Sequence, residues 1–157
     1  MAYHEDLLQQ ALQLIHNEPR KPKQASLRRA VSTAYYALFH MLISESVANW
    51  RITNLRSELA RAFDHGTMKA ASDRLLQLHF VGERPTVVSA LRFVAKTFGE
   101  LQQNRHKADY DNAKFWMKTE ALELVRSAER AFGEWRSIRD EQIAQHYLIS
   151  LLVKRRN

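Results

Sequence analysis

Two segments of the chain combine basic and aromatic side chains at spacings that suit the binding of an anion. The first covers residues 26–42 and reads SLRRAVSTAYYALFHML. Within it, Arg28 and Arg29 carry planar guanidinium groups, which bind phosphate oxygens through two parallel hydrogen bonds. Tyr36 and His40 lie four residues apart, so a helix places their rings on one side, where a nucleobase can stack. The alternative interpretation is a core helix that carries amphipathic aromatic residues.

The second segment covers residues 105–111 and reads RHKADYD. Arg105 supplies a third guanidinium group, and Asp109 lies four residues later, the spacing of an ion pair across one helical turn. Tyr110 adds an aromatic ring beside them. The alternative interpretation is structural. In it, Arg105, Asp109 and Tyr35 only hold the second predicted helix against the fourth.

The common signatures of metal and nucleophile chemistry are missing from the sequence. The absence of cysteine excludes disulfides, a thiol nucleophile and any Cys-ligated metal site. HExxH, GxSxG and a glycine-rich phosphate loop are also absent, and the seven histidines are scattered. We therefore expect no cofactor and no metal site.

Composition and charge indicate one helical domain with an acidic partner. A chain of 157 residues and 18.3 kDa has the length of a single domain. Four glycines and three prolines are too few for a turn-rich sandwich or barrel. The net charge of +7 and the pI near 9.9 favour RNA, DNA or an acidic protein as partner. The sequence shows neither a membrane span nor a secretory signal, so a soluble cytoplasmic protein is expected.

Hydrophobic periodicity predicts about five helices. Ser26 is the predicted N-cap of the second helix. The third helix is expected to break at residues 64–66, because Gly66 costs about 1 kcal/mol inside a helix. The last pattern runs for about 37 residues, far beyond an average helix, which predicts a bend near Gly133 or an end that projects against another subunit. Lys154, Arg155 and Arg156 form a basic tail. The predicted helices cover residues 4–17, about 26–50, 54–78, 87–104 and 119 to the C-terminus, with a linker at 17–23, a loop at 81–85 and a polar stop at 105–112.

The block SLRRAVSTAYYALFH, a downstream His-Gly pair and R-x-x-A-D-Y together resemble the HEPN superfamily (higher eukaryotes and prokaryotes nucleotide-binding domain). The resemblance covers residues 4–133 and is closest to small prokaryotic members with an AYYA-x-F-H helix. It implies an up-and-down helical bundle that forms a homodimer, with residues 134–157 as a helical extension of the same domain. Members of the superfamily include RNases of toxin and defence systems, partners of nucleotidyltransferases and non-catalytic proteins that bind RNA or nucleotides.

The segments that carry the resemblance do not contain the catalytic motif of the RNases in this superfamily. RNases of the family carry an Arg followed, after four to six residues, by a His, and two copies of the pair converge into a metal-independent site for acid/base transfer and phosphate stabilisation. The segment at residues 105–111 lacks this spacing. It occurs elsewhere at Arg74 with His79 and at Arg139 with His146, but chance alone yields about two such pairs in this composition. These four residues are weak catalytic candidates.

We therefore predict an all-α bundle of about five helices with a long C-terminal helix, forming one domain over residues 1–157. The expected function is binding of RNA or a nucleotide in a prokaryotic stress, defence or toxin–antitoxin system. Two alternatives stay open: a metal-independent endoribonuclease toxin that acts as a dimer, and a helical interaction module for a nucleotidyltransferase or another acidic partner.

The binding site is expected where the segments that carry the resemblance converge. Arg28, Arg29 and Arg105 would contact phosphate, Tyr36 would stack on a base, and His65 would be the nearest ionisable partner. The full set of candidate binding residues is Arg28, Arg29, Tyr36, His40, His65, Arg105, Asp109 and Tyr110.

Overall fold

The computed structural model describes residues 2–18 and 20–154, and every regular element within these ranges is helical. This confirms the predicted all-α class. None of the helices in these ranges combines the length and apolar composition needed to cross a bilayer. The elements are α1 (Tyr3–His16), α2 (Gln24–Val47), a 3-10 turn (Thr53–Leu55), α3 (Arg56–Ala60), α4 (His65–Gln77), α5 (Pro85–Tyr110), α6 (Lys118–Ile138) and α7 (Gln142–Ser150).

Helix α2 occupies the centre of the bundle because small or apolar side chains surround most of its circumference. Ala30, Ala34 and Leu38 are fully buried in it. It packs against α1, α5 and α6, whereas α4 packs against α5 and α7. Buried side chains of α1, α2, α4, α5, α6 and α7 form one continuous cluster. Burial of each larger aliphatic side chain contributes about 1.5–3 kcal/mol, and α2 adds Leu27, Leu38 and Leu42 to this cluster.

The start of α2 differs from the prediction. Its N-cap is Lys23, so Ser26 lies inside the first turn and is not the cap. The Ser26 hydroxyl instead donates to Glu18 Oε1 at 2.7 Å. The Gln24 side chain exchanges two hydrogen bonds of 2.8 Å with the backbone of Trp116, which ties the start of α2 to the loop before α6.

Helix α5 continues through residues 105–110, where the sequence predicts a polar stop, so the predicted end near residue 104 is wrong. Two contacts explain the extra turns. Ala108 is buried against the bundle. Arg28 donates from Nη1 to the Ala108 carbonyl at 2.9 Å and from Nη2 to the Lys114 carbonyl at 2.5 Å. Since the last carbonyls of a helix lack intrahelical donors, Arg28 completes this end of α5 and adds a positive charge at its negative pole.

The third predicted helix divides where the sequence expects a break. Asp64 is the N-cap of α4, and its Oδ1 accepts from the Thr67 amide at 2.8 Å. This cap makes His65 the first residue of α4. The N-terminal part of the predicted helix is only the 3-10 turn and the short α3.

The predicted long C-terminal helix is instead two helices. Gly133 lies inside α6, and the chain turns at residues 139–141. Arg139 in this turn places Nε 3.0 Å from Glu45 Oε1 on α2, which holds the turn against the bundle. Helix α7 then packs on α2 and α4, so α7 does not project from the bundle. Arg155 and Arg156 of the predicted basic tail lie outside the described residues.

Candidate functional site

A group of aromatic rings joins helices α2, α4 and α5. Tyr35 of α2 is fully buried, and its Oη lies 2.5 Å from Nδ1 of His65, the first residue of α4. The His65 ring stacks on Phe39, with ring centroids 4.3 Å apart. Tyr35 and Phe39 reach the same histidine because they are one helical turn apart. We call Tyr35, Tyr36, Phe39, His65 and Arg105 the aromatic cluster.

Arg105 of α5 lies over two of these rings. Its guanidinium carbon is 5.4 Å from the centroid of Tyr35 and 5.7 Å from that of Tyr36. Its Nη1 lies 3.6 Å from Asp109 Oδ2, which is the predicted pair across one turn. The side chain is only 14% exposed, and its buried Nε has no hydrogen-bond partner among the described residues. Arg105 is therefore a nearly buried cation with donor capacity to spare.

Burial and the charge of Arg105 set the ionisation of the cluster. Burial lowers the pKa of His65, and the adjacent guanidinium lowers it further. Burial raises the pKa of Tyr35 well above its usual value, and the charge of Arg105 offsets only part of this. Both groups are therefore neutral at neutral pH, and their hydrogen bond joins two uncharged partners.

An open cleft of about 530 Å³ lies beside Arg105. We call it the basic cleft. Lys69 of α4 is ion-paired with Asp73 at 2.8 Å, whereas Lys107 is exposed. Gln102 donates weakly to the His65 carbonyl at 3.4 Å, and its buried Oε1 has no partner among the described residues. The lining consists of Lys69, Gln102, Gln103, Arg105, His106 and Lys107, with no carboxylate among them.

A second cavity, of about 520 Å³, lies between the start of α2 and the end of α5, and we call it the polar cavity. Arg28, Arg29, Asp109 and Tyr110 contribute to its lining. Asp109 connects the two cavities because it also contacts Arg105, and the Ser32 hydroxyl donates to its Oδ2 at 3.4 Å. Two nitrogens of Arg28 are already used on backbone carbonyls, which makes its role here structural.

The structure brings most of the predicted binding residues around the last turns of α5, whereas His40 borders a different cavity. Its ring centroid is 6.4 Å from that of Tyr36, as the spacing predicts, and 5.0 Å from that of Tyr3 of α1, and it lines a small cavity with His4 and Arg56. The other predicted residues divide between the aromatic cluster with its basic cleft (Tyr36, His65 and Arg105) and the polar cavity (Arg28, Arg29, Asp109 and Tyr110).

The weak catalytic candidates lie elsewhere. Arg74 and His146, one from each predicted pair, both line a groove between α4 and α7. His79 is exposed in the loop that follows α4. Arg139 is bound to Glu45 in the turn between α6 and α7. Each predicted Arg–His pair is thus divided between two different surroundings.

Sequence reasoning missed several residues of the basic cleft, namely Lys69, Gln102, Gln103, His106 and Lys107. Those on α5 could have been found by continuing the helix past residue 104, since positions three and four apart share a face. Lys69 could not have been found from the sequence, because its place in the cleft depends on how α4 packs against α5.

Comparisons with protein-family models, with curated proteins and with solved structures found no match to this chain. The resemblance to the HEPN superfamily therefore stays a prediction based on the segments AYYALFH and RHKADYD. Within residues 2–18 and 20–154, no group of three or more His, Asp and Glu side chains is arranged to hold a metal ion. Function is consequently inferred from the geometry of the basic cleft.

Proposed function

We propose that the protein binds RNA or a nucleotide, with phosphate groups seated in the basic cleft. The observation that carries the proposal is a concave lining with three cations, Lys69, Arg105 and Lys107, and no carboxylate. Cations grouped in a cleft raise the local concentration of anions. Phosphate contacts of this kind also supply most of the affinity of non-specific nucleic-acid binding. The net charge of +7 adds a general attraction for the same ligands.

Arg105 suits this role because its position is fixed before a ligand arrives. The rings of Tyr35 and Tyr36 restrict its guanidinium group, so binding a phosphate costs less side-chain entropy than it would for a mobile lysine. Asp109 is a weak competitor, since its carboxylate is 3.6 Å away and partly exposed. A phosphate can therefore replace this carboxylate as the partner of Arg105.

Aromatic side chains near the cleft suit the stacking of bases. Tyr36 is half-buried, with its ring 5.9 Å from that of His65. Tyr110 is 66% exposed, and its ring lies 5.0 Å from that of His106. Stacking on such rings contributes about 1–3 kcal/mol per base and tolerates any sequence. The expected ligand is thus single-stranded RNA or a nucleotide rather than a duplex.

The resemblance to the HEPN superfamily supports the same ligand class. It also extends the proposal to a homodimer in the cytoplasm that acts within a prokaryotic stress, defence or toxin–antitoxin system. The segments on which the resemblance rests include Arg105 and Tyr36, which belong to the aromatic cluster beside the cleft.

The test is a titration of the full chain with a fluorescein-labelled single-stranded RNA of twelve nucleotides, followed by anisotropy at several NaCl concentrations. We expect Lys69→Ala and Lys107→Ala each to weaken binding and to lower the slope of log affinity against log salt by about 0.7, the contribution of one phosphate contact on a single strand. Lys96→Ala is the matched control, because Lys96 is an exposed lysine of α5 that does not line the cleft.

The proposal fails if the chain does not bind this RNA at low salt, or if Lys96→Ala weakens binding as much as the two cleft variants. The same mixtures, incubated in EDTA and run on a denaturing gel, separate binding from cleavage. Shortening of the RNA that is lost in His79→Ala or His146→Ala would instead identify the endoribonuclease.

A further inference from the structure

An apolar groove of about 340 Å³ runs between α4 and α7. Its floor is formed by Ala71, Leu75 and Tyr147, each at most 5% exposed. Its rim carries Leu78 and Ile149, which are 47% and 60% exposed. We call it the α4–α7 groove. Its lining consists of Ala71, Arg74, Leu75, Leu78, Phe80, Ile143, His146, Tyr147, Ile149, Ser150 and Val153.

The polar groups beneath the floor are already satisfied. The Tyr147 hydroxyl, fully buried, lies 2.7 Å from Ser72 Oγ. Ser72 in turn lies 2.8 Å from the Met68 carbonyl, to which it donates. The groove thus offers an occupant apolar surface and no unmet hydrogen bond from its floor. Large exposed aliphatic side chains around such a recess are typical of a surface that another molecule covers.

Basic side chains border the groove, and its lining holds no carboxylate. Arg74 lines it directly. Arg92 of α5 stands at the end where the loop after α4 begins: its Nη2 donates to the Leu78 carbonyl at 2.8 Å, and its guanidinium lies 5.7 Å from the Phe80 ring centroid. His146 adds a ring nitrogen that can bond a carboxylate. The occupant is therefore expected to bring negative charge beside its apolar residues.

Charge and shape separate the candidate occupants. A second copy of the chain on a two-fold axis would bring the same basic patch against this one, because such an interface joins identical patches, and the lining of neither copy would offer a carboxylate to Arg74 or Arg92. A flat bilayer surface would meet the rim at Ile149 but would leave the recessed floor empty. A helix fits the recess, as in other grooves bordered by two helices.

We propose that the α4–α7 groove binds an amphipathic helix of an acidic partner protein. Its apolar side chains cover the floor, and its carboxylates pair with Arg74 and Arg92. The length of α7 sets the length of the bound segment: nine residues at about 1.5 Å each span about 14 Å, or between two and three helical turns. This inference does not depend on the function proposed for the basic cleft, since the two sites share no lining residue.

The test uses two synthetic helical peptides of fifteen residues with one identical leucine face. Glutamates flank the leucines in the first peptide, and lysines replace every glutamate in the second. Each is titrated into the ¹⁵N-labelled full chain and followed by amide chemical shifts. We expect the glutamate peptide to shift amides of α4 and α7 and to bind about tenfold more tightly than the lysine peptide, since two exposed ion pairs replace two repulsions.

Two pairs of variants identify the contacts. Arg74→Glu is expected to abolish the preference for the glutamate peptide, whereas Arg126→Glu, at an exposed position of α6, keeps it. Ile149→Ser is expected to weaken binding of both peptides without changing the melting temperature, because the side chain is mostly exposed. Leu55→Ser, another exposed apolar residue, is its control.

Three results would overturn the inference. The first is the absence of shifts on α4 and α7, or equal binding of the two peptides. The second is a dimer, measured by sedimentation equilibrium, that Ile149→Ser dissociates, which would assign the groove to a second copy. The third is co-sedimentation with phosphatidylglycerol vesicles that Ile149→Ser abolishes, which would assign it to a membrane. Loss of RNA binding in Lys107→Ala bears only on the basic cleft and leaves this inference unaffected.

Discussion

Arg105 is held by two kinds of contact that differ in strength. Its position over the rings of Tyr35 and Tyr36 contributes about 0.5–2 kcal/mol, toward the upper end because the guanidinium is largely desolvated. The partly exposed ion pair with Asp109, at 3.6 Å, contributes about 0–1 kcal/mol. The rings therefore position the cation, and the carboxylate can be exchanged for a ligand at little cost. The structural and the binding interpretations of this segment are thus compatible.

The hydroxyl of Tyr35 fastens α2 to α4, so Tyr35→Phe is expected to lower the free energy of unfolding by about 1 kcal/mol. The loss is moderate because His65 is only half-buried, so water can replace the hydroxyl at Nδ1. Urea denaturation followed by circular dichroism measures the change. Tyr110→Phe, at an exposed tyrosine, is the matched control and should leave stability unchanged. Equal stability of the two variants would show that the 2.5 Å contact contributes nothing.

At the scale of elements, the end of α5 depends on the start of α2. Arg28 is the fifth residue of α2, close to the N-terminal end, where a cation opposes the dipole of its own helix. Its guanidinium instead reaches the Ala108 carbonyl in the last turn of α5 and the Lys114 carbonyl in the following loop, so the same charge is favourable at a second helix. The last turns of α5, which carry Arg105 and Lys107, are therefore supported from α2.

Arg28→Ala is expected to fray the end of α5 and to lower the free energy of unfolding by about 2 kcal/mol, since it removes two hydrogen bonds from a charged donor. Hydrogen exchange at the amides of Ala108 and Asp111 should accelerate, because their bonds open with the last turn. RNA affinity should fall too, because the frayed turns carry cleft residues. Arg29→Ala, the exposed neighbour, controls for the loss of charge in the unfolding and exchange measurements, and unchanged exchange in Arg28→Ala would refute the capping role.

Local sequence signals predicted the helices better than their ends. Apolar spacing was sufficient for α1 and α2, because that signal is contained in the segment itself. The break before α4 was expected at the right place because of Gly66, but Gly66 lies inside α4, and Asp64 starts the helix as its N-cap. The end of α5 could not be predicted, since the residue that completes it is 80 positions away. The turn after α6 likewise depends on Glu45 of α2, not on Gly133. Tertiary contacts decided these boundaries, and they also placed Lys69 in the basic cleft.

For the molecule as a whole, three partly buried histidines link stability to pH. Burial is the largest cause that lowers the pKa of His4, His40 and His65. Neighbouring charge adds to this lowering at two of them, since a proton on His4 or His65 disfavours one on His40, and Arg105 disfavours one on His65. At His4, Glu5 and Glu45 raise the pKa and offset part of the effect of burial. The unfolded chain, in which these rings titrate near the usual 6.5, therefore binds more protons than the folded chain in the mildly acidic range.

Because stability rises with pH wherever the unfolded state binds more protons, the melting temperature is expected to fall from pH 7.5 to pH 5.5. The carboxylates with lowered pKa, Asp64 and Glu120, lose their stabilising contribution only at lower pH, below their usual values of 3.8 and 4.5, so the two effects separate. Replacing His4, His40 and His65 together by Gln should flatten the change between pH 7.5 and 5.5, whereas His16→Gln, exposed at the end of α1, should keep it. Thermal unfolding at constant ionic strength measures the pH dependence of the melting temperature in each variant. An equal pH dependence in the triple variant and in His16→Gln would show that these three rings do not cause it.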